Sequence, residues 1–455
     1  MKNFFKLISK CISKSLFFIF HLLLNKIIKL SEDLLIIDIK KLERNFYGLN
    51  SDINKMIKKY PDKVFVIIDS ERFREWEVEQ AINMFNSLNA DGLPLCDSDI
   101  ISAQLYSAAK KQNKDEEYNK LWNELKIKIN DLESKKILNI DSLLMQQMYY
   151  ERAYKKEILT DSKTINVTPP GLRRYFIDIN RDFANNPIES CTRMLKLAKM
   201  WLKIIEYPIV QVLFKFNENF KLFLAAYLLR FEIEELSEEK IYKVVKCFLR
   251  LFSIMELVDT GYSSSKFKTF LFKEQLKLID SNVTEEEIEN DFDEHIFKEW
   301  DKDELKKDII EYEKNILIYL NEYLFAKEAQ IKFDIDTKYD IEHIMPNSGN
   351  NLQIIRTDAG ISDKNEFDKF VNKLGNKILL EYRINRSIGN EWFRTKVSTK
   401  ITDKTGYKDS EFPIAQALVV KYQENYEKKY WTKDDIKIAT EKAAERIVNF
   451  IFYNK

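Results

Sequence analysis

The chain has 455 residues, 45% apolar and 32% charged, with only 9 glycines and 8 prolines; this excludes a disordered or collagen-like chain and leaves room for two or three buried cores. Lys plus Arg and Asp plus Glu each total 73, so no overall basic field announces a nucleic-acid partner and any such surface has to be local. The four cysteines, Cys11, Cys96, Cys191 and Cys247, are scattered without a CxxC pair, and are expected as buried, reduced thiols rather than as zinc ligands or a disulfide framework.

At the N-terminus, Lys2, Lys6, Lys10 and Lys14 precede an apolar run over residues 16–24 that is broken by His21. The run is shorter than the ~20 residues a membrane span needs, and no small-residue cleavage site follows. A buried or partner-facing helix is expected, with no stable membrane insertion, in a cytoplasmic protein. Residues 63–69 (KVFVIID) form a compact β-branched run and are expected as a strand. A helix over 78–85 leads into a Gly-Pro turn at 89–94, after which Asp97 or Ser98 is placed to cap the next helix. A polar break at 160–171, ending in Pro169-Pro170-Gly171, is expected to separate subdomains. From about 183 to 325 amphipathic helices follow almost without pause, including 196–205, 220–231 and 241–257, which reads as a bundle. The acid-rich stretch 284–308 is expected to be a solvated helix face. Beyond Ile331 short strand-like pieces and asparagine-rich turns take over, and Thr432 with Asp435 reads as a capping box opening a helix with Ile436, Ala439, Ala443, Ile447 and Phe450 on one face.

Of the three histidines, His21 and His295 read as packing or surface residues, and His343 carries the chemical signal, in the run YDIEHIMP at 339–346. Hydrolysing a phosphodiester needs a base to take a proton from water and a hard cation to neutralise charge growing on the phosphate. His343 is the candidate base and Glu342 a candidate ligand. Magnesium is satisfied by one carboxylate, one amide oxygen and several waters, and a second run, LGNKILLEYRINR at 374–386, supplies Asn376 and Asn385 nine residues apart, the first in a turn and the second on a helix start. Neighbours on a regular strand point to opposite faces, so Glu342 joins His343 at one ion only if the strand bends there; Pro346 and the polar turn 347–351 favour an early strand end, and Asp340 is the acid that takes over otherwise. Residues 371–400 hold seven basic side chains (Lys373, Lys377, Arg383, Arg386, Arg394, Lys396, Lys400) against Glu381 and Glu391, a local excess suited to phosphate. Each feature also has a bland account: a lone histidine in an apolar strand is usually a satisfied core residue, asparagine commonly caps turns, and a basic run is often a solvated face.

The runs IEHIMP and LGNKILLEYRIN together resemble the C-terminal HNH domain of GmrSD-type modification-dependent restriction endonucleases. The resemblance continues through SIGNEWFRTKVSTK at 387–400, YKDS at 407–410 and Arg446 in the last helix, and spans about Ile331 to the C-terminus. It implies a ββα-metal module in which Glu342 and Asn385 hold Mg²⁺ or Mn²⁺, His343 activates water and Asn376 braces the loop, with Lys377, Arg383, Arg386 and Lys396 as nucleic-acid contacts. Residues 81–99 (AINMFNSLNADG and onward to Asp99) resemble the end of the ParB/sulfiredoxin-like partner domain of the same family. That domain's Asp-Gly-Gln-Gln-Arg run does not precede Ala81, and no Gly-rich phosphate loop is present, so residues 1–75 are expected to be a truncated or replaced module and nucleoside triphosphate dependence is not carried over.

The resulting expectation is a mainly α (α+β) fold: 1–75 an atypical N-terminal segment with a remnant strand, 76–170 the helical end of the partner domain, 171–330 a helical bundle, and 331–455 the HNH-like nuclease module. The expected activity is Mg-dependent hydrolysis of DNA, modified DNA in particular, in a restriction system defending against phage, with a homodimer or second subunit left open. The rival expectation is a DNA- or protein-binding subunit, or a remnant of such a system, that cuts nothing.

Overall fold

In the computed structural model the described residues are 34–38, 64–68, 96–161, 164–335, 338–361, 363–397, 405–424 and 429–452. The apolar run at 16–24, the helix expected over 78–85 and the turn at 89–94 lie outside them. The chain falls into two units, residues 1–124 with 170–193 and residues 125–169 with 194–455.

In the first unit, β1 (Leu34–Asp38) and β2 (Val64–Ile68) pair in parallel, Leu34 opposite Val64; β2 is the strand expected from KVFVIID. Neither Asp97 nor Ser98 caps the helix Asp97–Lys111: Cys96 is at the N-cap with no side-chain cap, and the first turn instead places Asp97 and Asp99 at the positive end of the helix dipole. The aromatic core of this unit includes Tyr118, stacked on Trp122 at 5.8 Å. Cys191 is buried, which pushes its thiol up to about 12, but Cys96 is exposed, against the expectation of burial, because the helix start it caps lies at the surface.

In the second unit the break at 160–165 is a small antiparallel hairpin, β3 (Leu159–Asp161) with β4 (Thr164–Ile165). The helices Phe220–Leu228, Glu238–Leu257, Phe270–Leu278, Glu285–Glu299 and Lys302–Glu311 follow, then α1 (Ile316–Glu328). The helix Glu238–Leu257 shows why: the Ser237 hydroxyl accepts from the Lys240 amide at its start, and Ile241, Val244, Val245, Phe248 and Phe252 recur at helical spacing and are buried. The acid run is not simply solvated. Thr284 and Glu287 form a capping box, while Glu289 pairs with Lys246 at 2.5 Å, Asp293 with Arg250 at 2.5 Å and Asp291 with Lys277. Arg250 is fully buried and also donates to the carbonyl of Ile451 at 2.7 Å, so those carboxylates neutralise cations of the bundle and do not face water alone.

The last third of the chain is more helical than its strand-like texture suggests. Its described strands are β5 (Tyr339–His343) and β6 (Lys377–Glu381), antiparallel, with Tyr339 opposite Glu381 and His343 opposite Lys377. The helices Leu352–Asp358 and Lys364–Val371 lie between them, and α2 (Tyr382–Ile388) follows β6 without a loop. Then come α3 (Phe393–Val397), α4 (Pro413–Glu424) and α5 (Lys433–Ile451). The Thr432–Asp435 capping box forms as expected, the Thr432 amide donating to Asp435 at 2.9 Å and the Asp435 amide to Thr432 at 3.3 Å. The buried face of α5 runs through Ile436, Thr440, Ala443, Ala444, Ile447, Val448 and Ile451, displaced slightly from the face with Ala439 and Phe450. Among the described residues no helix is long and apolar enough to cross a membrane.

Glu322 on α1 ties these pieces together. It is fully buried, and its Oε1 accepts from the amide of Ile414 at 2.8 Å, at the start of α4. Burial pushes its carboxyl up to about 8 from 4.5. With the folded pKa above the unfolded one, the stability it contributes is complete below about 4.5 and is lost as pH rises through about 8. Glu322→Gln, which carries no titrating proton, should therefore lose less Tm than the wild type between about pH 5 and about pH 9; equal losses in a thermal melt would refute this account of the carboxyl.

Candidate active site

The site is built where β5 stops. In a regular strand successive carbonyls point to opposite sides, yet the ammonium of Lys396 on α3 donates to the carbonyls of both His343, at 2.8 Å, and Ile344, at 3.3 Å. The chain must therefore turn at His343–Ile344, two residues before Pro346. β5 keeps its register with β6 through both Glu342 and His343, so the bend lies after the histidine and not between it and the acid.

Asn376 fixes the other side of the turn. It is fully buried; its Oδ1 accepts from the Met345 amide at 2.7 Å, and its Nδ2 donates to the carbonyls of Met345 and Val371, both at 2.9 Å. The Ile344 amide donates to the Asn376 carbonyl at 2.9 Å. Asn376 therefore has its amide group occupied in bracing the loop. Gly375, before it, sits against α5: its amide donates to Thr440 Oγ1 at 3.1 Å, and a Cβ there would lie 2.3 Å from the Thr440 nitrogen and 2.5 Å from the Ile436 oxygen. Only glycine permits that approach.

His343 is partly buried, and its Nε2 is shielded from solvent with no hydrogen-bond partner. Burial pushes the ring down to about 4, the positive charge of Lys377 adds to the effect, a side-chain hydrogen bond with Asn372 opposes it, and Lys396 lowers it further. The imidazole is neutral across the physiological range, with one nitrogen free to accept a proton.

Asp340 and Glu342, two residues apart on β5, share a face of the strand. Asn385 on α2 donates from Nδ2 to Asp340 Oδ2 at 3.3 Å, which brings the helix amide to the acid expected as the substitute ligand. Glu342 is buried; Lys396 Nζ donates to its Oε1 at 2.5 Å and the Tyr407 hydroxyl to the same oxygen at 2.9 Å. Both bonds fall on Oε1 and leave Oε2 outside them. Burial lowers the Lys396 pKa, against the pull of Glu342, and raises that of Tyr407 well above 10.

Among the described residues no three or more His, Cys, Asp and Glu side chains cluster as a ready metal-binding group. The donors at hand are two carboxylates and one amide. Oε2 of Glu342, the Asp340 carboxylate and the Asn385 amide oxygen are hard oxygens of the kind Mg²⁺ or Mn²⁺ takes together with water, so the donor chemistry fits such an ion.

The cations expected to meet nucleic acid divide into two groups. Lys396 is fully buried in the contacts just described, and Lys377 is buried with its ammonium donated to the Glu313 carbonyl at 2.6 Å and Asn315 Oδ1 at 3.1 Å. Both are committed inside the fold. Arg383 and Arg386 on α2 are exposed, and neither is paired with an acid among the described residues; the Arg386 guanidinium lies 3.8 Å over the Tyr382 ring. Three contributions were missed from sequence: Asn372 on the imidazole, Tyr407 on Glu342, and the inward role of Lys396. Asn372 lies only four residues before Asn376, but the other two reach the strand from 54 and 65 residues away, beyond any local pattern.

His295 is a packing residue, stacked on Phe270 with ring centroids 3.9 Å apart and bonded through Nε2 to the Lys266 carbonyl at 2.6 Å.

Compared with known proteins, residues 263–445 match the family model described as GmrSD restriction endonucleases, C-terminal domain. The matched segment begins well upstream of Ile331 and includes the helices that carry Glu289, Asp293 and Glu322. No curated protein and no solved structure matches the chain.

Because the Gly375 approach to α5 is backbone against backbone, Gly375→Ala should force the turn away from the helix and destabilise the protein by on the order of 1–3 kcal/mol. Chemical denaturation with an unchanged midpoint would contradict that packing.

Proposed function

Since this chain carries a GmrSD-type restriction endonuclease C-terminal domain over residues 263–445, we propose that β5, β6 and α2 act as a ββα-metal, HNH-type centre that hydrolyses DNA phosphodiesters. The observation that carries this reading is the unpartnered Nε2 of His343, at the end of the strand that also carries Asp340, bonded to Asn385, and Glu342. The neutral imidazole takes the proton from an attacking water at Nε2 once binding of the substrate opens that shielded nitrogen to it. Asn376 keeps the turn in place and touches no reactant. Glu342, Asn385 and Asp340 are the side chains that would hold Mg²⁺ or Mn²⁺, which when bound supplies positive charge against the phosphate and leaving oxygen. Arg383 and Arg386, exposed and without acid partners, bind the backbone phosphates on either side. On this reading the role is restriction, which we place in the cytoplasm and direct at modified DNA.

A second reading, a subunit that binds DNA and cuts nothing, draws on one observation: Glu342 already has Lys396 as its counter-ion. The two readings separate on metal-dependent cleavage.

His343→Ala should lower cleavage of plain or modified DNA by on the order of 10²–10⁴-fold at saturating Mg²⁺, with the circular dichroism spectrum unchanged. Cutting at the wild-type rate by a folded variant would remove His343 from the role of base. Arg383→Ala and Arg386→Ala should weaken binding of all DNA sequences alike, each reducing the slope of log K against log salt by about 1. If fluorescence anisotropy at several salt concentrations shows an unchanged slope, the phosphate contacts lie elsewhere.

A further inference from the structure

Lys396 and Tyr407 are both fully buried, and both place their polar atoms on the same oxygen of the same carboxylate. As a source of stability the arrangement is poor, because a buried ion pair commonly adds no more than an apolar cluster of the same volume. What it supplies is geometry. A free carboxylate rotates and offers either oxygen, whereas one with a lysine and a tyrosine on Oε1 has its rotation fixed and a single oxygen left to give. The same ammonium holds the carbonyls of His343 and Ile344, so the orientation of Glu342 and the turn that carries the imidazole are set by one group.

We propose that Lys396 and Tyr407 are positioning residues that present Oε2 of Glu342, alone, as a one-oxygen ligand to a divalent cation, and that Lys396 locks the His343 turn to that ligand. The proposal rests on the endonuclease reading of this site. It turns Lys396 inward, away from the nucleic-acid contact expected from the basic stretch. It also assigns a task to Tyr407, a fully buried ring whose hydroxyl bonds Glu342.

The test uses the full-length chain and Mn²⁺ as the probe, titrated by calorimetry without DNA so that binding is read apart from catalysis. Tyr407→Phe keeps the ring and removes one hydrogen bond. It should weaken Mn²⁺ binding by about 10–100-fold, the usual effect of losing a partner of a metal ligand, with little change in the Tm of the metal-free protein. Lys396→Met should in addition speed hydrogen exchange across 339–346 relative to the rest of β6 and α5. A lowered Tm in Tyr407→Phe with an unchanged Mn²⁺ affinity would show a purely structural tyrosine and overturn the proposal. If the wild type binds Mn²⁺ and cleaves DNA while Tyr407→Phe matches it in both, the positioning role alone fails. If the wild type neither binds Mn²⁺ nor cleaves DNA with any divalent cation, the endonuclease reading falls and takes this inference with it.

Discussion

One ammonium group organises the candidate site. Lys396 delivers its protons to Glu342 Oε1 and to two consecutive carbonyls, those of His343 and Ile344. A strand cannot offer that trio while it remains a strand, so the contact and the end of β5 are the same event. The neutral imidazole at the strand end follows from the same burial: with Lys377 and Lys396 both acting on the ring, protonation is disfavoured and Nε2 is left as an acceptor.

A two-stranded sheet is marginal by itself, and this one is held from behind by side chains that bridge long sequence separations. Lys377 on β6 takes the carbonyl of Glu313. Lys373 pairs with Glu311 at 2.6 Å, and Arg446 on α5 joins α1 through Glu328 at 2.7 Å and Asn321 at 2.6 Å. Gly375 lets the turn that carries Asn376 rest on the backbone of α5. The helices before Ile331 are thus the scaffold of the hairpin, which gives a physical reason for the family match to begin at 263 rather than at the first motif.

What the sequence made legible was local. The run KVFVIID has β-branched residues packed into one strand length, Thr432 and Asp435 sit three apart, and LGNKILLEYRIN moves from a turn through an apolar strand into a helix; each states its structure within a dozen residues. Pro346 and the polar turn 347–351 also announced the early end of the strand, which comes at His343. Two kinds of information were out of reach. The acid run at 284–308 has the composition of a solvated face, and only the bundle shows that Lys246, Lys277 and Arg250 lie opposite it. The basic stretch 371–400 has the composition of a phosphate-binding face, yet Lys373, Lys377 and Lys396 turn inward and Arg383 and Arg386 outward, a division set by tertiary packing that charge counting cannot see.

That division also explains how a chain with no net charge can present a cationic surface. The lysines committed inside the fold carry their own counter-charges or carbonyls: Glu342 for Lys396, Glu311 for Lys373, Glu313 and Asn315 for Lys377. Their fields are cancelled over a few ångströms and add little outside. Among the described residues the arginines of α2 have no acid partner, and the guanidinium keeps its charge at any working pH. Electrostatic reach toward a polyanion therefore depends on which cations remain unpaired at the surface, and two of these, Arg383 and Arg386, stand on the same short helix as Asn385, one turn or less from it along the chain.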